Sequence, residues 1–346
     1  MAMSGGVDSS VAAALLLEGG HDVTGVTMKL WGGASDQGCC SVADVDDARR
    51  VAQELDIQHL VFNFGDDFTT HVVDPYVAAH AAGATPNPCI ECNRHLKFDR
   101  LVRRADSLGF DAIATGHHAR VVTGPDGTHR IARGADAAKD QSYVLHMLGA
   151  NVLDRVLLPV GTMTKDAVRA HATRLGLRTA AKPDSQDVCF ITATGGRRTF
   201  LGERIALHPG RLVDTSGVDV GRVDAVELVT IGQRKGLGLA GDAAPRYAVA
   251  VDARAGVVTV GSAADLLAID VVVGDLAWSG KAPPAGVELL AQTSAHGVAR
   301  PMVLTSATDD GTVTGRWSEG PQRRVAPGQS VAFYDGDVVL GGGIAR

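Results

Sequence analysis

No run of apolar residues in this chain reaches the length that a membrane span requires, and the N-terminus lacks the basic-then-apolar pattern of a secretory signal. A membrane protein is not expected; the reading is a cytoplasmic one. Cysteine is scarce, with five in 346 residues and two of them adjacent at Cys39 and Cys40. So few thiols in so long a chain do not form a disulfide framework, and they are expected to be reduced, metal-binding or catalytic. A surplus of basic residues is missing as well. The net charge of -6 excludes a surface that is basic all over, while leaving room for a local basic groove. Internal repeats and low-complexity tracts are not seen.

What is present is an ordinary globular composition, 45% apolar and 21% charged, long enough for two or three domains. Up to about Phe190, short apolar runs at Val23 to Met28, His59 to Phe64 and Asp111 to Gly116 alternate with helical periods. One such period spans Ser41 to Leu55, with Val45, Ala48, Ala52 and Leu55 on one face and Ser41 with Asp44 as a capping box. That order is βαβ and predicts a parallel sheet covered by helices. From about Gly210 the chain changes to short valine-rich runs split by Gly, Asp and Pro, which predicts antiparallel β in two small barrels or sheets, with the segment 281–286 as a turn or linker.

The stretch "SGGVDSS" from Ser4 to Ser10 carries the first chemical signal. Val7, Val11, Ala14 and Leu15 share a helical face and Gly19-Gly20 supplies a stop, so a helix starts close to Gly6. Gly5 and Gly6 let backbone N–H groups approach a bound group, the helix N-terminus adds partial positive charge, and Ser4, Ser9 and Ser10 add hydroxyls. This is an anion cradle suited to phosphate. It lacks the lysine and the spacing of a Walker A loop, which argues against γ-phosphate transfer. A plain N-capped helix after a tight turn has the same seven residues.

"SGGVDSS" resembles the PP-loop of the ATP pyrophosphatases, which split ATP between the α and β phosphates to adenylate an oxygen. A full strand is expected before such a loop, yet only Met1 to Met3 precede it, so a truncated strand or an upstream start is expected. Downstream, "TPNPCIECNRHLKF" (Thr85 to Phe98), "ATGHHAR" (Ala114 to Arg120), "KDQSYVL" (Lys139 to Leu145), "KPDSQDVCFI" (Lys182 to Ile191) and "TIGQRKGLGL" (Thr230 to Leu239) follow in order. Together they resemble the bacterial tRNA-specific 2-thiouridylase family over nearly the whole chain. The resemblance implies an α/β fold in which an N-terminal PP-loop domain, 1–198, precedes a small central β domain, 199–263, and a C-terminal β-barrel, 264–346. It implies ATP-dependent replacement of the position-2 oxygen of the wobble uridine by sulfur, acting on tRNAs of the Lys, Glu and Gln kind, with a cysteine desulfurase or sulfur relay protein as donor. A different PP-loop tRNA-modifying ligase is the competing enzyme class; a non-enzymatic metal- or RNA-binding protein leaves the PP-loop unexplained.

Under the resemblance, Met3, Ser4, Gly5, Gly6, Val7, Asp8, Ser9 and Ser10 hold the nucleotide, Met28 and Gly116 lie on its adenine and ribose side, and Asp8 positions Mg2+. Cys92 corresponds to the nucleophile and Cys189 to the persulfide carrier, with Arg94, His95, Lys97 and Lys182 near them in sequence. A thiol with pKa of about 8.5 needs such positive neighbours to react at neutral pH. Asn87 and Pro88, in a loop read as too rich in proline for a helix, match the segment that touches the target base, together with Cys89. His117, Lys139, Asp140, Gln141 and Gln329 match tRNA contacts, and a flipped-out base suits this arrangement. The segment Thr293 to Met302 departs from the family's Arg-Tyr pair, so Ser294, Ala295 and His296 are expected to be weak RNA ligands. Cys89, where many relatives have Asp, makes a C-x-x-C pair with Cys92. With Cys189 it offers three ligands for a 4Fe-4S cluster presenting sulfide, the alternative to a persulfide on Cys189 resolved by Cys92. Taken alone, each of these residues has a bland explanation: core packing for Met28 and the cysteines, a structural role for His117, a solvated pair for Lys139 and Asp140.

Overall fold

In the computed structural model the described residues are 1–30, 42–184, 188, 190–191, 195–239, 244–308 and 311–346. Cys39, Cys40, Cys189 and the capping residue Ser41 lie outside them. Helix α1, Val7–Glu18, begins after Gly6 and ends at Gly19, with Gly20 in the left-handed region (φ 80°) that favours glycine. It does not present the single apolar face expected. Ser9, Ser10, Ala12 and Ala13 are buried along with Val7 and Val11, so small residues surround a helix that is packed on nearly every side.

The reason is its place in the sheet. Strands β1 (Thr24–Lys29) and β2 (Gln58–Asn63) pair in parallel, as do β3 (Ile113–Ala114) and β6 (Val156–Leu157). Met1–Met3 runs between the two pairs: Met3 N donates to the Val26 carbonyl and Ala2 N to the Ala114 carbonyl, both at 2.8 Å. The resulting order is β2, β1, Met1–Met3, β3, β6, with the short leading segment at the centre. One side of the sheet is covered by α1, α2 (Val42–Glu54) and the helix Lys165–Arg174, around a core of Met3, Val11, Ala48, Val51 and Val168. The other carries two long helical segments, 65–81 and 88–107, around Phe68, Tyr76, Leu96 and Phe98.

Between β3 and β6 the chain makes an antiparallel hairpin, β4 (Ala119–Thr123) with β5 (His129–Arg133), that the sequence reading did not foresee. It leaves its own domain: Ala132 of β5 pairs with Val338 of the barrel, and Arg133 N donates to the Asp337 carbonyl at 2.9 Å. The central module holds β7 (Gly210–Asp214), β8 (Asp219–Val223), β9 (Tyr247–Asp252) and β10 (Val257–Gly261) in the order β8-β7-β10-β9. The expectation of purely antiparallel β fails here. β7 and β10 run parallel, because the connection between them crosses over through β8 and β9. A short pair, β11 (Leu267–Ala268) with β16 (Gln322–Arg323), stands beside the C-terminal barrel.

That barrel is made of β12 (Asp270–Trp278), β13 (Glu288–Gln292), β14 (Arg300–Ala307), β15 (Val313–Trp317), β17 (Ser330–Asp335) and β18 (Val338–Ala345). Pairing of β12 with β18 closes it at six strands, which leaves no free edge within the ring. The segment 281–286 is the turn before β13.

Two histidines sit at domain contacts. His80 donates from Nδ1 to the Glu227 carbonyl of the central module at 3.2 Å, and His146 donates to the Tyr143 carbonyl at 2.8 Å. Burial lowers both from 6.5 to about 4. Below pH 6.5 the unfolded chain takes up protons that the native one refuses, so this stability is complete above 6.5 and lost as pH falls towards 4. Each buried histidine should cost about 2 kcal/mol at pH 5. Urea midpoints are expected to drop between pH 7.5 and 5, with a shallower slope in His146→Gln; a flat profile contradicts the assignment.

Candidate active site

The site is built where α1 begins. Among the described residues no side chain caps this helix, so its first N–H groups stand uncapped at a cavity of about 300 Å³ lined by Ser4, Gly6, Val7, Asp8 and Ser9. Gly5 (φ 71°) does not line it. A Cβ there would fall 2.4 Å from the Asp44 carbonyl oxygen, so its glycine is required by the close approach of α2. The expected set of hydroxyl donors is also smaller than predicted: Ser10 is fully buried and its Oγ donates to the Gly6 carbonyl at 2.9 Å. Ser9 Oγ donates to the same carbonyl at 3.0 Å and accepts from Ser4 N at 3.2 Å, which shapes the turn. A second cavity of about 200 Å³ adjoins, lined by Met3, Met28, Lys97, Gly116 and His117, at the C-terminal ends of the strands. A Cβ on Gly116 would lie 2.7 Å from Ser9 N, so only glycine lets this loop close on the first turn of α1. A larger cavity of about 370 Å³, lined by Leu16, Phe62 and Leu108, occupies the opposite end of the sheet and lacks this charge and backbone geometry.

Asp8 is the electrostatic centre. Lys165, at the start of its helix and 8% exposed, donates from Nζ to both Asp8 oxygens at 2.8 and 2.7 Å and pairs with Asp184 at 2.8 Å. His118 Nε2 donates to Asp8 Oδ1 at 3.0 Å. Burial alone would raise the Asp8 carboxyl, but the bonds from His118 and Lys165 outweigh it and hold it below its ordinary value. Asp184, bonded by Lys139, Lys165 and Arg169, is likewise held low against the opposing effect of burial. Mg2+ needs unengaged oxygen donors in near-octahedral array. Both Asp8 oxygens already face an ammonium, so Asp8 as arranged does not fit the metal role expected for it, and no step is derived through Mg2+. The sequence reading missed Lys165, since nothing in "MTKDAVR" marks a lysine as buried, and passed over His118 and Asp184 although they lie in "ATGHHAR" and "KPDSQDVCFI".

The cysteines sit on a helix, contrary to the proline-loop reading. Pro88 occupies the first turn, where its missing N–H costs nothing, and Asn87 caps the helix by accepting from Cys89 N at 3.0 Å. Pro88 is buried; Cys89 and Cys92 are half-buried, one turn apart. The helix continues through a π-wound stretch, Cys92–Arg100, a winding that recurs at functional sites. It delivers Lys97 to the second cavity, and Asn93 donates to the Val144 carbonyl at the first cavity's wall at 2.9 Å. Arg94 and His95 both pair with Glu91, at 3.7 and 3.2 Å, and Lys182 pairs with Asp44 and Asp47 at 2.7 and 2.8 Å. Among the described residues no three His, Cys, Asp or Glu side chains form a metal-binding group. Cys89 and Cys92 by themselves cannot hold a 4Fe-4S cluster, and no step is derived through one.

The residues expected to touch tRNA separate into two groups. Lys139 reaches the first cavity, paired with Asp184 rather than with Asp140, and Gln141 lines both cavities. His117 lines the second, 8% exposed, hydrogen-bonded to Thr115 at 2.7 Å and held well below 6.5 by burial and the nearby charges of Lys97 and His118. Asp140 has an internal role: its two oxygens accept from Gly134 N, Ser142 N, Ser142 Oγ and Arg133. Gln329 donates to the Thr85 carbonyl, and Thr85 N to the Pro327 carbonyl at 3.0 Å, which docks the barrel onto the cysteine loop. Ala295 and His296, set aside in the sequence reading, line the first cavity with Asp8.

A parallel sheet with an uncapped helix start at its centre, followed by two β modules, defines a nucleotide-type HUP enzyme architecture. Family models agree in extent: tRNA methyl transferase HUP domain over residues 1–193, tRNA methyl transferase PRC-barrel domain over 198–262, and aminomethyltransferase beta-barrel domain over 270–345. The chain is similar to proteins named tRNA-specific 2-thiouridylase MnmA, 47% identical to that of Chloroflexus aurantiacus over 100% of this chain and 98% of the relative, and 46% identical to that of Mycobacterium avium over 98% and 96%. It belongs to the tRNA-specific 2-thiouridylase family. The solved NMN synthetase of Francisella tularensis aligns at 17% identity over 59% of this chain and 76% of that one with a TM-score of 0.32.

Replacing Lys165 by Met leaves two carboxylates around an apolar tip. Because Asp8 and Asp184 are about one-third exposed, the expected loss is about 1–3 kcal/mol in urea unfolding. Asp8→Asn should recover part of it in the double variant; a Lys165→Met protein as stable as wild type contradicts the shared-ammonium geometry.

Proposed function

We propose that this chain is a tRNA-uridine 2-sulfurtransferase that adenylates oxygen 2 of a wobble uridine with ATP and then replaces that oxygen with sulfur. The observation that carries the reading is the convergence, on adjoining cavities, of an uncapped helix start, a buried lysine and the helix that begins with Cys89 and Cys92. The family models' descriptions speak of methyl transfer and the relatives' names of thiolation; an anion cradle suited to a leaving pyrophosphate serves the second.

A uracil carbonyl is a poor electrophile with a poor leaving group. In the proposed reaction its oxygen attacks the α-phosphorus, the bond to the β-phosphate breaks, and pyrophosphate departs towards the first turn of α1. There the N–H groups of Val7 to Ser9 and the Lys165 ammonium receive the developing charge. Met28 and Gly116 bound the adenosine side, and neutral His117 with Lys97 lies where the extruded base arrives. The terminal sulfur of a Cys189 persulfide then attacks carbon 2 and AMP leaves. Cys92 thiolate attacks the Cys189 sulfur, releasing 2-thiouridine and leaving a Cys92–Cys189 disulfide for a thiol donor to reduce. The partners of this reading are tRNAs with a wobble uridine and a cysteine desulfurase or relay protein; its units are 1–198, 199–263 and 264–346. The cluster route through Cys89, Cys92 and Cys189 is the second reading, favoured only by the Cys89–Cys92 spacing.

Asp8→Ala is expected to lower tRNA-dependent AMP release at least about a hundredfold. Cys92→Ser should release about one AMP per enzyme and then stall, with no free 2-thiouridine by nucleoside mass spectrometry. Protein purified without oxygen should be colourless and Cys89→Ser active. Wild-type AMP release from folded Asp8→Ala contradicts the adenylation reading, and a brown protein inactivated by Cys89→Ser moves the sulfur step to the cluster.

A further inference from the structure

The barrel reaches the PP-loop cavity through one turn, residues 293–297, whose Ala295 and His296 line it together with Asp8. Gln292, 2% exposed at the end of β13, holds that turn: its Nε2 donates to the Ser294 and Ala295 carbonyls at 2.9 and 3.2 Å. Its Oε1 accepts from Arg133 Nη2 at 2.9 Å. Arg133 is the last residue of β5, in the hairpin that the first domain lends to the barrel sheet. Its Nη1 donates to Asp140 at 2.9 Å, and its guanidinium lies 4.1 Å from the centre of the Tyr334 ring.

From Asp140 the contacts continue to the nucleotide side. Asp140 fixes the loop by accepting from Gly134 N, Ser142 N and Ser142 Oγ, and Ser142 Oγ lies 3.2 Å from the Tyr334 hydroxyl. The next residue, Gln141, accepts from His118 N at 2.8 Å and donates from its own N to the His118 carbonyl at 2.9 Å. His118 in turn donates to Asp8. One planar guanidinium therefore joins the barrel turn to the loop that seats the PP-loop carboxylate, using two separate N–H groups as lysine's single ammonium would not.

We propose that Arg133 is a positioning residue that couples the two ligands of the cavity. It holds the loop around Asp140 and the barrel turn in one register, so that RNA seated against the turn and nucleotide seated at Asp8 tighten each other's binding. The inference rests on the thiolation reading for the identity of the ligands, while the coupling itself is a reciprocal equilibrium property.

The test is the affinity of the full chain for α,β-methylene-ATP, with and without saturating unmodified tRNA transcript carrying a wobble uridine. In wild type, tRNA should tighten the analogue about tenfold; in Arg133→Met and Gln292→Met the factor should fall below about twofold, with Arg133→Lys between. Each variant's affinity for either ligand alone should stay within about threefold of wild type. A purely structural arginine would instead lower thermal stability and both separate affinities while leaving their ratio intact. Should Arg133→Met fail to fold, Gln292→Met carries the test, because it leaves Arg133 on Asp140. Coupling absent from wild type, or kept in the folded variants, overturns the proposal. Coupling present without any tRNA-dependent AMP overturns the reaction reading and leaves the coupling; protein that binds no tRNA overturns both.

Discussion

The ammonium of Lys165 bridges Asp8 and Asp184, which face the same cavity, with His118 adding to its hold on Asp8 and Lys139 and Arg169 to its hold on Asp184. Carboxylates facing one cavity repel, and burial raises the cost of charging either. With the lysine between them both stay ionised, the first turn of α1 keeps an acidic side chain at its positive end, and His118 is held by its bond to Asp8. The arrangement stores positive charge in the protein itself. In the proposed reaction an arriving phosphate chain competes with the carboxylates for a lysine that is already desolvated and aimed, so little reorganisation is needed when charge develops.

The sheet and the barrel are coupled by backbone. The β4–β5 hairpin belongs by sequence to the nucleotide domain and by hydrogen bonding to the barrel's sheet, and Gln329 and Pro327 tie the barrel back to Thr85 before the cysteine helix. His80 makes a third tie to the central module. The walls of the candidate site therefore come from two domains joined by ladder bonds and buried polar contacts, to which the exposed Arg120–Asp337 ion pair adds little.

Much of this was legible in the sequence for a clear reason. Glycine pairs, periodic apolar positions and alternating valines report local backbone needs, so α1, α2, β1 and β2 were found, the two strands displaced by one residue. Met28 and Gly116, read together as the adenosine side because each ends a strand, line one cavity; Lys97, read as a neighbour of the thiols, and His117, read as a tRNA contact, line it too. What failed is what tertiary context decides. Nothing local shows that Asp140 accepts from Arg133 and Gly134, that Gln329 donates to the Thr85 carbonyl, or that the Ser10 hydroxyl turns inward. The proline-rich run before Cys89 read as loop, although Pro88 at a first turn favours the helix. Arg133 and Lys165 carried no motif at all; their importance comes from partners up to 159 and 157 residues away.

In the proposed reaction the start of α1 and Lys165 form the receptor for the leaving pyrophosphate. A crystal structure of the protein with α,β-methylene-ATP tests it most directly. The β and γ phosphates should lie within hydrogen-bond reach of the N–H groups of Val7 to Ser9, with Lys165 Nζ moved from Asp184 onto them. Phosphates bound away from this turn, such as in the cavity beside Leu16 and Leu108 at the other end of the sheet, would contradict it.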